Sequence, residues 1–314
     1  MATKIACIAG GEIYRQWDAG RIDGDRIGPR ATPFGDSGEI FLINGPSPFY
    51  LLPRYGAGMD KTSPCRINSR ANMYALKDMG VQHVLAWGPA GAITHNIAVG
   101  DLVILEDVID RTYLRKQTFF EDSPLGFLRQ FPVFCPMLRR VINNVLQSMK
   151  LVHRPSAVAA VSEGPRLETP AEVRMLMAIG AEVVTHSFVP EVFLAKELQM
   201  CYAAVCYVVN YAETGSRHKP FVAGDLFGGL SQSSETQRLA GAVGALSRIA
   251  AGVSSALDEV AVTAIATRPC SITSASATCH PTGASGSNKL SPAKPLQKGS
   301  TSQAANANME HSHP

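Results

Sequence analysis

Two carboxylates, Glu163 and Glu168, flank a Gly-Pro turn that separates an apolar run from a predicted helix. Residues 157–161 are short and apolar, which is typical of a buried strand. Thr169 and Pro170 then provide an N-cap and a proline at the first helical position. Carboxylates at such a junction can accept hydrogen bonds from a ligand or move protons, or they can only cap the helix and face solvent. Both interpretations are open for an isolated Glu.

A cation and two glycines could also contribute to a ligand site. Gly10 and Gly11 follow a strand-like run, and backbone amides of a glycine turn can face a ligand. Arg54 comes at the end of the strand-like residues 49–52, beside Gly56. An arginine near a turn is more often solvated than functional, so that alternative also stays open.

The elements that must position these residues alternate between strands and helices. Residues 68–79 predict a helix that Gly80 closes, and residues 84–87 predict a strand that enters a turn at 88–91. Residues 100–110 predict one more strand and residues 138–150 another helix. The pattern continues to about residue 209 and predicts a single α/β domain, with a central mixed sheet flanked by helices. Ligands bind such sheets where strand ends converge.

Composition excludes several classes of function. The 314 residues are 46% hydrophobic and 18% charged, and the formal charge is only +3, so we expect a small-molecule ligand and no nucleic acid. Seven cysteines without CxxC spacing predict reduced thiols and no metal site. We see no signal peptide and no run of about 20 apolar residues. These features predict a soluble cytoplasmic protein with no membrane partner.

The chain changes character near residue 265. Residues 266–314 are rich in Ser, Thr, Ala, Pro and Gly, which predicts a disordered tail after a catalytic domain at residues 1–265.

Truncation after residue 265 should leave the melting temperature within a few degrees of the full chain, because the tail cannot bury enough apolar surface to offset the entropy of ordering. Thermal unfolding of both proteins checks this. Aggregation or lost assembly of the short form would contradict it.

Six motifs together resemble the trimeric purine nucleoside phosphorylases, a family that includes the methylthioadenosine and methylthioinosine phosphorylases. In chain order they are Gly10-Gly11, Pro53-Arg54-Tyr55-Gly56, Asn68-Ser-Arg-Ala-Asn72, Gly100-Asp-Leu-Val-Ile104 with Asp110-Arg-Thr112, Glu163-Gly-Pro-Arg-Leu-Glu-Thr169 and Val189-Pro-Glu-Val192. The resemblance covers roughly residues 4 to 260 and implies a nucleoside phosphorylase-like sheet and a homotrimer. It also implies cleavage of a purine N-glycosidic bond by phosphate, with no cofactor beyond phosphate as co-substrate.

For the base, the resemblance implies contacts from Glu163, Leu167, Glu168 and Asn210, with Asn210 also catalytic. Relatives that act on 6-oxopurines carry an Asn at this place, whereas adenine-preferring ones carry Asp and a second Asp two residues on, where this chain has Ala212. An amide can donate to N7 and O6 of a 6-oxopurine. Inosine, guanosine or 5'-methylthioinosine is therefore the expected substrate.

For phosphate, the resemblance implies Gly11, Arg54, Gly88 and Ser187. Three positions depart from the pattern: Glu12 replaces a hydroxyl residue, Tyr55 replaces a common His, and Pro89 has no N–H to offer. A carboxylate near phosphate repels it. Arg54 could still grip an anion with a bidentate fork.

For the ribose, the resemblance implies Tyr55 and His186, the latter at a position where relatives carry Met. Phosphorolysis is the leading hypothesis. The alternatives are a diverged member that hydrolyses nucleosides or binds them without turnover, and a methylthioadenosine phosphorylase.

Overall fold

A computed structural model of the chain describes residues 4–56, 62–123, 126–214 and 235–263. The predicted domain boundary at residue 265 and the tail lie outside these ranges. The strands are β1 (Ile5–Ala9), β2 (Gly24–Arg26), β3 (Ala31–Thr32), β4 (Gly35–Asp36), β5 (Phe41–Ile43), β6 (Phe49–Pro53), β7 (His83–Ala92), β8 (Leu102–Ile104), β9 (Asp107–Arg111), β10 (His153–Arg154), β11 (Val158–Ser162), β12 (Val183–Thr185) and β13 (Cys201–Asn210). The helices are α1 (Gly11–Asp18), α2 (Ser69–Asp78), α3 (Pro136–Ser148), α4 (Pro170–Ala178), α5 (Glu191–Glu197), α6 (Thr236–Gly244) and α7 (Leu246–Thr263), and Pro64–Arg66 forms a 3-10 turn.

Eleven of these strands form one mixed sheet around β7. Strand β7 pairs in parallel with β1 and β13, and its last residues pair antiparallel with β12. Beyond β1 the sheet continues through β6, β5 and β2, and beyond β13 through β8 and β10. Strand β11 pairs in parallel with β12 and β9. This arrangement confirms the predicted α/β fold with a central mixed sheet.

The core lies on both faces of this sheet because strand side chains alternate in direction. Val84 and Ala86 of β7 pack with apolar residues of α2 and α5. Leu85 and Trp87, one residue out of phase, pack with α3 and α7.

Helices α6 and α7 bear on the expectation that the chain has no run of about 20 apolar residues. The segment Thr236–Glu259 is long and apolar enough to pass a test for a membrane span by length and composition, with a mean hydropathy of 1.3. Its Ile249, Ala250 and Val253 are fully buried and belong to the core cluster that contains α3. These three residues pack in the core, and 39% of the apolar window is buried inside the protein.

Two predicted boundaries are wrong. Residues 88–91 do not leave the sheet in a turn: β7 continues to Ala92 because Cys206, Tyr207 and Val208 pair with Gly88, Pro89 and Ala90. Residues 100–110 form two strands, β8 and β9, because β8 pairs with β13 and β9 pairs with β11.

The parallel register brings the candidate residues toward one edge of the sheet. Ala9 at the end of β1 lies beside Pro53 at the end of β6, so Gly10 and Arg54 follow neighbouring strands. Val161 near the end of β11 lies beside Thr185 at the end of β12. Carboxyl ends of parallel strands are where ligand sites form in such sheets.

Candidate active site

A cavity of about 250 Å³ opens at this edge. This volume is close to the lower limit of about 300 Å³ for small-molecule sites. Its walls are mostly apolar, and a few polar side chains reach into it. The lining residues are Tyr55, Pro89, Ala90, Gly91, Pro165, Leu167, Glu168, Val184, Thr185, His186, Val209, Asn210, Ala212 and Glu213. Of the predicted base and ribose residues, Tyr55, Leu167, Glu168, His186 and Asn210 therefore share one cavity.

Asn210 ends β13 at an irregularity of the sheet. The register with β7 shifts between Val208 and Asn210, and such bulges re-aim side chains. Oδ1 of Asn210 accepts the N–H of Ala212 at 3.2 Å, which fixes the orientation of the amide. A Cβ on Gly91 would lie 2.6 Å from that oxygen, so only glycine fits opposite it. With Oδ1 committed, the Nδ2 group is the part of Asn210 that can donate to a ligand.

Glu168 lies just before helix α4, whose start is the predicted one. Thr169 and Glu172 form a reciprocal capping box, and Pro170 is the first helical residue. The carboxylate of Glu168 does not take part in this cap. Its Oε1 accepts a short hydrogen bond from Ser162 and lies 3.3 Å from Nε2 of His186. Helix capping is therefore not the role of Glu168.

The carboxylate of Glu163 is paired with the loop after β9. Its Oε2 accepts the N–H groups of Tyr113 and Leu114 at 2.7 and 3.0 Å, and its Oε1 accepts Nε of Arg115 at 3.1 Å. Burial raises the pKa of Glu163, but these hydrogen bonds and the charge of Arg115 outweigh it, and the pKa lies below its usual value. Both oxygens accept hydrogen bonds from the loop after β9, and Glu163 is not among the residues that line the cavity, so its contact with the base stays a prediction.

Arg54 also differs from expectation. Its guanidinium makes a bidentate pair with the carboxylate of Glu191, at 2.5 and 3.0 Å, and donates to the carbonyl of Trp87 at 2.9 Å. Both side chains are buried, with 1% and 5% exposed. Burial lowers the pKa of Arg54, but the facing carboxylate outweighs it and the guanidinium stays charged. The guanidinium that was predicted to bind phosphate is thus paired with Glu191.

Two of the other predicted phosphate residues, Gly88 and Ser187, lie close together. The hydroxyl groups of Tyr55 and Ser187 are 3.1 Å apart. A Cβ on Gly88 would approach Oγ of Ser187 to 2.9 Å, so Gly88 leaves the room that Ser187 occupies. Gly11 begins helix α1 directly after the strand end. Because Tyr55 also lines the cavity, this hydroxyl pair adjoins the predicted base site.

Glu12 folds back over Gly10, where a Cβ would meet its Oε2 at 2.4 Å. That oxygen is buried and has no hydrogen-bond partner among the described residues. Burial raises the pKa of Tyr207 most, and the negative charge of Glu12 and a side-chain hydrogen bond to Glu12 raise it further, so the phenol stays protonated. The carboxylate of Glu12 thus lies beside the phenol of Tyr207, while its Oε2 is buried without a hydrogen bond in the described ranges.

Two residues important to this edge were missed in the sequence. Arg115 donates to the carbonyls of Ser162, His186 and Val189 as well as to Glu163, and it ties the ends of β11 and β12 together. Glu191 neutralises Arg54. No residue near Arg115 in the sequence indicates these contacts. Glu191 belongs to the motif Val189-Pro-Glu-Val192, but the sequence analysis assigned it no role. In the described ranges no three His, Cys, Asp or Glu side chains are grouped to hold a metal ion.

Comparison with known proteins places this architecture among enzymes. Residues 51–248 match the family model described as the phosphorylase superfamily. A probable S-methyl-5'-thioinosine phosphorylase of Methanothermobacter thermautotrophicus is 37% identical over 68% of this chain and 74% of its own length. A 6-oxopurine nucleoside phosphorylase of Pyrococcus furiosus is 35% identical over 67% of this chain and 80% of its own. A methylthioadenosine phosphorylase of Schistosoma mansoni, solved with adenine, superposes with a TM-score of 0.68 at 25% identity, over 82% of this chain and 92% of that chain.

Proposed function

Because the chain belongs to the phosphorylase superfamily, we propose that it cleaves 6-oxopurine nucleosides with phosphate, giving the free base and ribose 1-phosphate or its 5-substituted counterpart. The observation that carries the choice of base is the fixed amide of Asn210 in the same cavity as Glu168. The names of the relatives from Methanothermobacter thermautotrophicus and Pyrococcus furiosus support the same class of reaction.

The two polar groups complement a 6-oxopurine. In hypoxanthine or guanine, N1 carries a hydrogen and O6 and N7 only accept. The carboxylate of Glu168 accepts from N1–H, and Nδ2 of Asn210 donates to O6 or N7. An adenine base would present a 6-amino donor to the Asn210 donor, which disfavours methylthioadenosine. The apolar walls, among them Pro165, Leu167 and Val209, pack against the rings.

The same contacts assist bond cleavage. When the bond between N9 and the anomeric carbon breaks, its electron pair moves into the purine and negative charge develops at N7 and O6. A preorganised donor at that position stabilises the transition state more than the ground state. Asn210 therefore acts on the leaving group, and a phosphate oxygen captures the ribosyl cation.

A substrate panel tests this proposal. Purified protein is incubated with inosine, guanosine, 5'-methylthioinosine and 5'-methylthioadenosine, and the released bases are separated by chromatography. Turnover of the first three should exceed that of methylthioadenosine. A preference for methylthioadenosine would show that Asn210 does not select the base.

Hydrolysis is the second candidate function, and Glu12 is the observation that favours it. Phosphate would meet a carboxylate whose Oε2 is buried and has no hydrogen-bond partner in the part of the chain that the structure describes, while the guanidinium of Arg54 is paired with Glu191. A carboxylate can instead accept a proton from an attacking water, which carries no charge to repel. Arg15 approaches Glu12 only at 3.6 Å and is 63% exposed, so it offsets little of this charge.

The E12T substitution should lower the half-saturating phosphate concentration about tenfold or more, because like charges a few ångströms apart repel by about 4 kcal/mol at an effective dielectric near 20. Initial rates at graded phosphate check this. The KM for inosine should stay nearly constant, and the same change at the half-exposed Glu106 should alter neither value.

Unaltered phosphate dependence in E12T would show that Glu12 does not face the anion. Release of hypoxanthine by both proteins without phosphate would instead support hydrolysis.

We further propose that the protein assembles as a homotrimer, is located in the cytoplasm and has a role in purine salvage. Several large apolar side chains support an association surface, because they are strongly exposed in one chain: Tyr113 at 77%, Phe127 at 96% and Phe131 at 78%. Sedimentation equilibrium should give three times the mass of the chain.

A further inference from the structure

His186 lines the cavity, but its ring faces Glu168. Nε2 of His186 lies 3.3 Å from Oε1 of Glu168, and the two side chains are only 18% and 9% exposed. A carboxylate can only accept, so Nε2 carries the hydrogen of this contact. His186 therefore donates a hydrogen bond to Glu168, the carboxylate proposed to recognise the base.

Both side-chain donors to Glu168 use the same oxygen. Ser162 donates its hydroxyl to Oε1, as His186 does. Oε2 has no side-chain donor in the part of the chain that the structure describes. Burial raises the pKa of Glu168, but the hydrogen bonds from His186, from Ser162 and from the backbone N–H of Glu168 itself outweigh it, and the pKa lies below its usual value.

The backbone leaves the ring of His186 little freedom. Gly164 has a positive φ of 62°, and a Cβ there would lie 2.7 Å from Nδ1 of His186. The guanidinium of Arg115 donates to the carbonyl of His186 at 2.9 Å and to that of Ser162 at 3.1 Å. One buried cation therefore holds in register the two residues that contact Glu168.

We propose that His186 is a positioning residue for base recognition: with Ser162 it fixes Oε1 of Glu168 and so presents Oε2 to the N1–H of a 6-oxopurine. This inference rests on the proposed function, because it gives a role in selecting the same base. It replaces the expectation that His186 contacts the ribose. A ligand that lacks the sugar distinguishes the two roles.

Binding of free hypoxanthine, measured by calorimetry, is therefore the test. H186M removes the donor, and we expect it to bind hypoxanthine about tenfold or more weakly, the effect of losing one hydrogen bond to a charged group. H186Q places an amide N–H near the position of Nε2, and it should stay within about threefold of the wild type because the donor is kept. Thermal unfolding of each variant confirms that it is folded.

Two further variants sharpen the comparison. S162A removes the second donor to Oε1 and should weaken hypoxanthine binding in the same direction as H186M. H95M is the matched control, because His95 is exposed and does not line the cavity, and it should bind like the wild type.

Each outcome decides the proposal. If H186M binds hypoxanthine like the wild type but has a higher KM for inosine, His186 contacts the ribose and the inference is wrong. If H186Q loses as much affinity as H186M, the hydrogen-bond donor is not what matters, and the inference is again wrong. If the wild type neither binds hypoxanthine nor cleaves inosine, the proposed function itself fails, and this inference fails with it.

Discussion

Replacement of Arg54 by methionine should lower the free energy of unfolding by about 3–5 kcal/mol, the usual cost of leaving one partner of a buried ion pair alone. Glu191, which is 5% exposed beside Arg54, would keep only the hydroxyl of Tyr202 at 2.7 Å and no cation among the residues that the structure describes. The Phe188 ring, 5.4 Å from the guanidinium carbon, would also lose its contact with the cation. Equilibrium unfolding in urea measures the loss.

The double variant R54M/E191M provides the control for this prediction. Replacing both charges of a buried pair with apolar side chains is often close to neutral, so the double variant should recover most of the loss. The same substitution at Arg26, which pairs with Glu39 on the surface, should cost no more than about 1 kcal/mol. If R54M costs as little as R26M, the pair does not stabilise the edge of the sheet.

The N210D substitution should shift the ratio of inosine to adenosine turnover by about 5- to 150-fold toward adenosine, because an unpaired buried donor or acceptor costs about 1–3 kcal/mol. An aspartate can keep the bond to the N–H of Ala212 through one oxygen. The group presented to the base then changes from a donor to an acceptor, which suits the 6-amino group. Steady-state rates with both nucleosides measure the ratio.

The N144D variant is the matched control, since Asn144 is exposed on helix α3 and does not line the cavity. Its ratio should equal that of the wild type. An unchanged ratio in N210D would mean that Asn210 does not read the base.

Local signals in the sequence predicted the elements well. Thr169 and Pro170 predicted the start of α4, and the structure has a complete capping box formed by Thr169 and Glu172. Asn68 and Gly80 mark the two ends of α2 as expected, the first as a side-chain cap and the second with a positive φ. These helix caps depend on residues within about one helical turn of each other, so they can be predicted from the sequence alone.

The contacts that the sequence did not predict join residues that are distant in the chain. Arg54 and Glu191 are 137 positions apart, and no residue near Arg54 indicates that its guanidinium pairs with a buried carboxylate. Glu163 was assigned to the base because of its motif, whereas its partners Tyr113 and Arg115 come from a loop about 50 residues earlier. Strand β7 continues through Gly88 and Pro89 because β13 pairs along it. In all three cases a partner distant in the chain decides the outcome, and at β7 the pairing with β13 overrides a local turn signal.

The measurement that bears most directly on the central claim is product identification from inosine with and without phosphate. With phosphate, phosphorus NMR should show one equivalent of ribose 1-phosphate for each hypoxanthine released, and without phosphate the release should stop. Hypoxanthine accompanied by free ribose, at a rate that does not depend on phosphate, would contradict phosphorolysis and identify the chain as a nucleoside hydrolase.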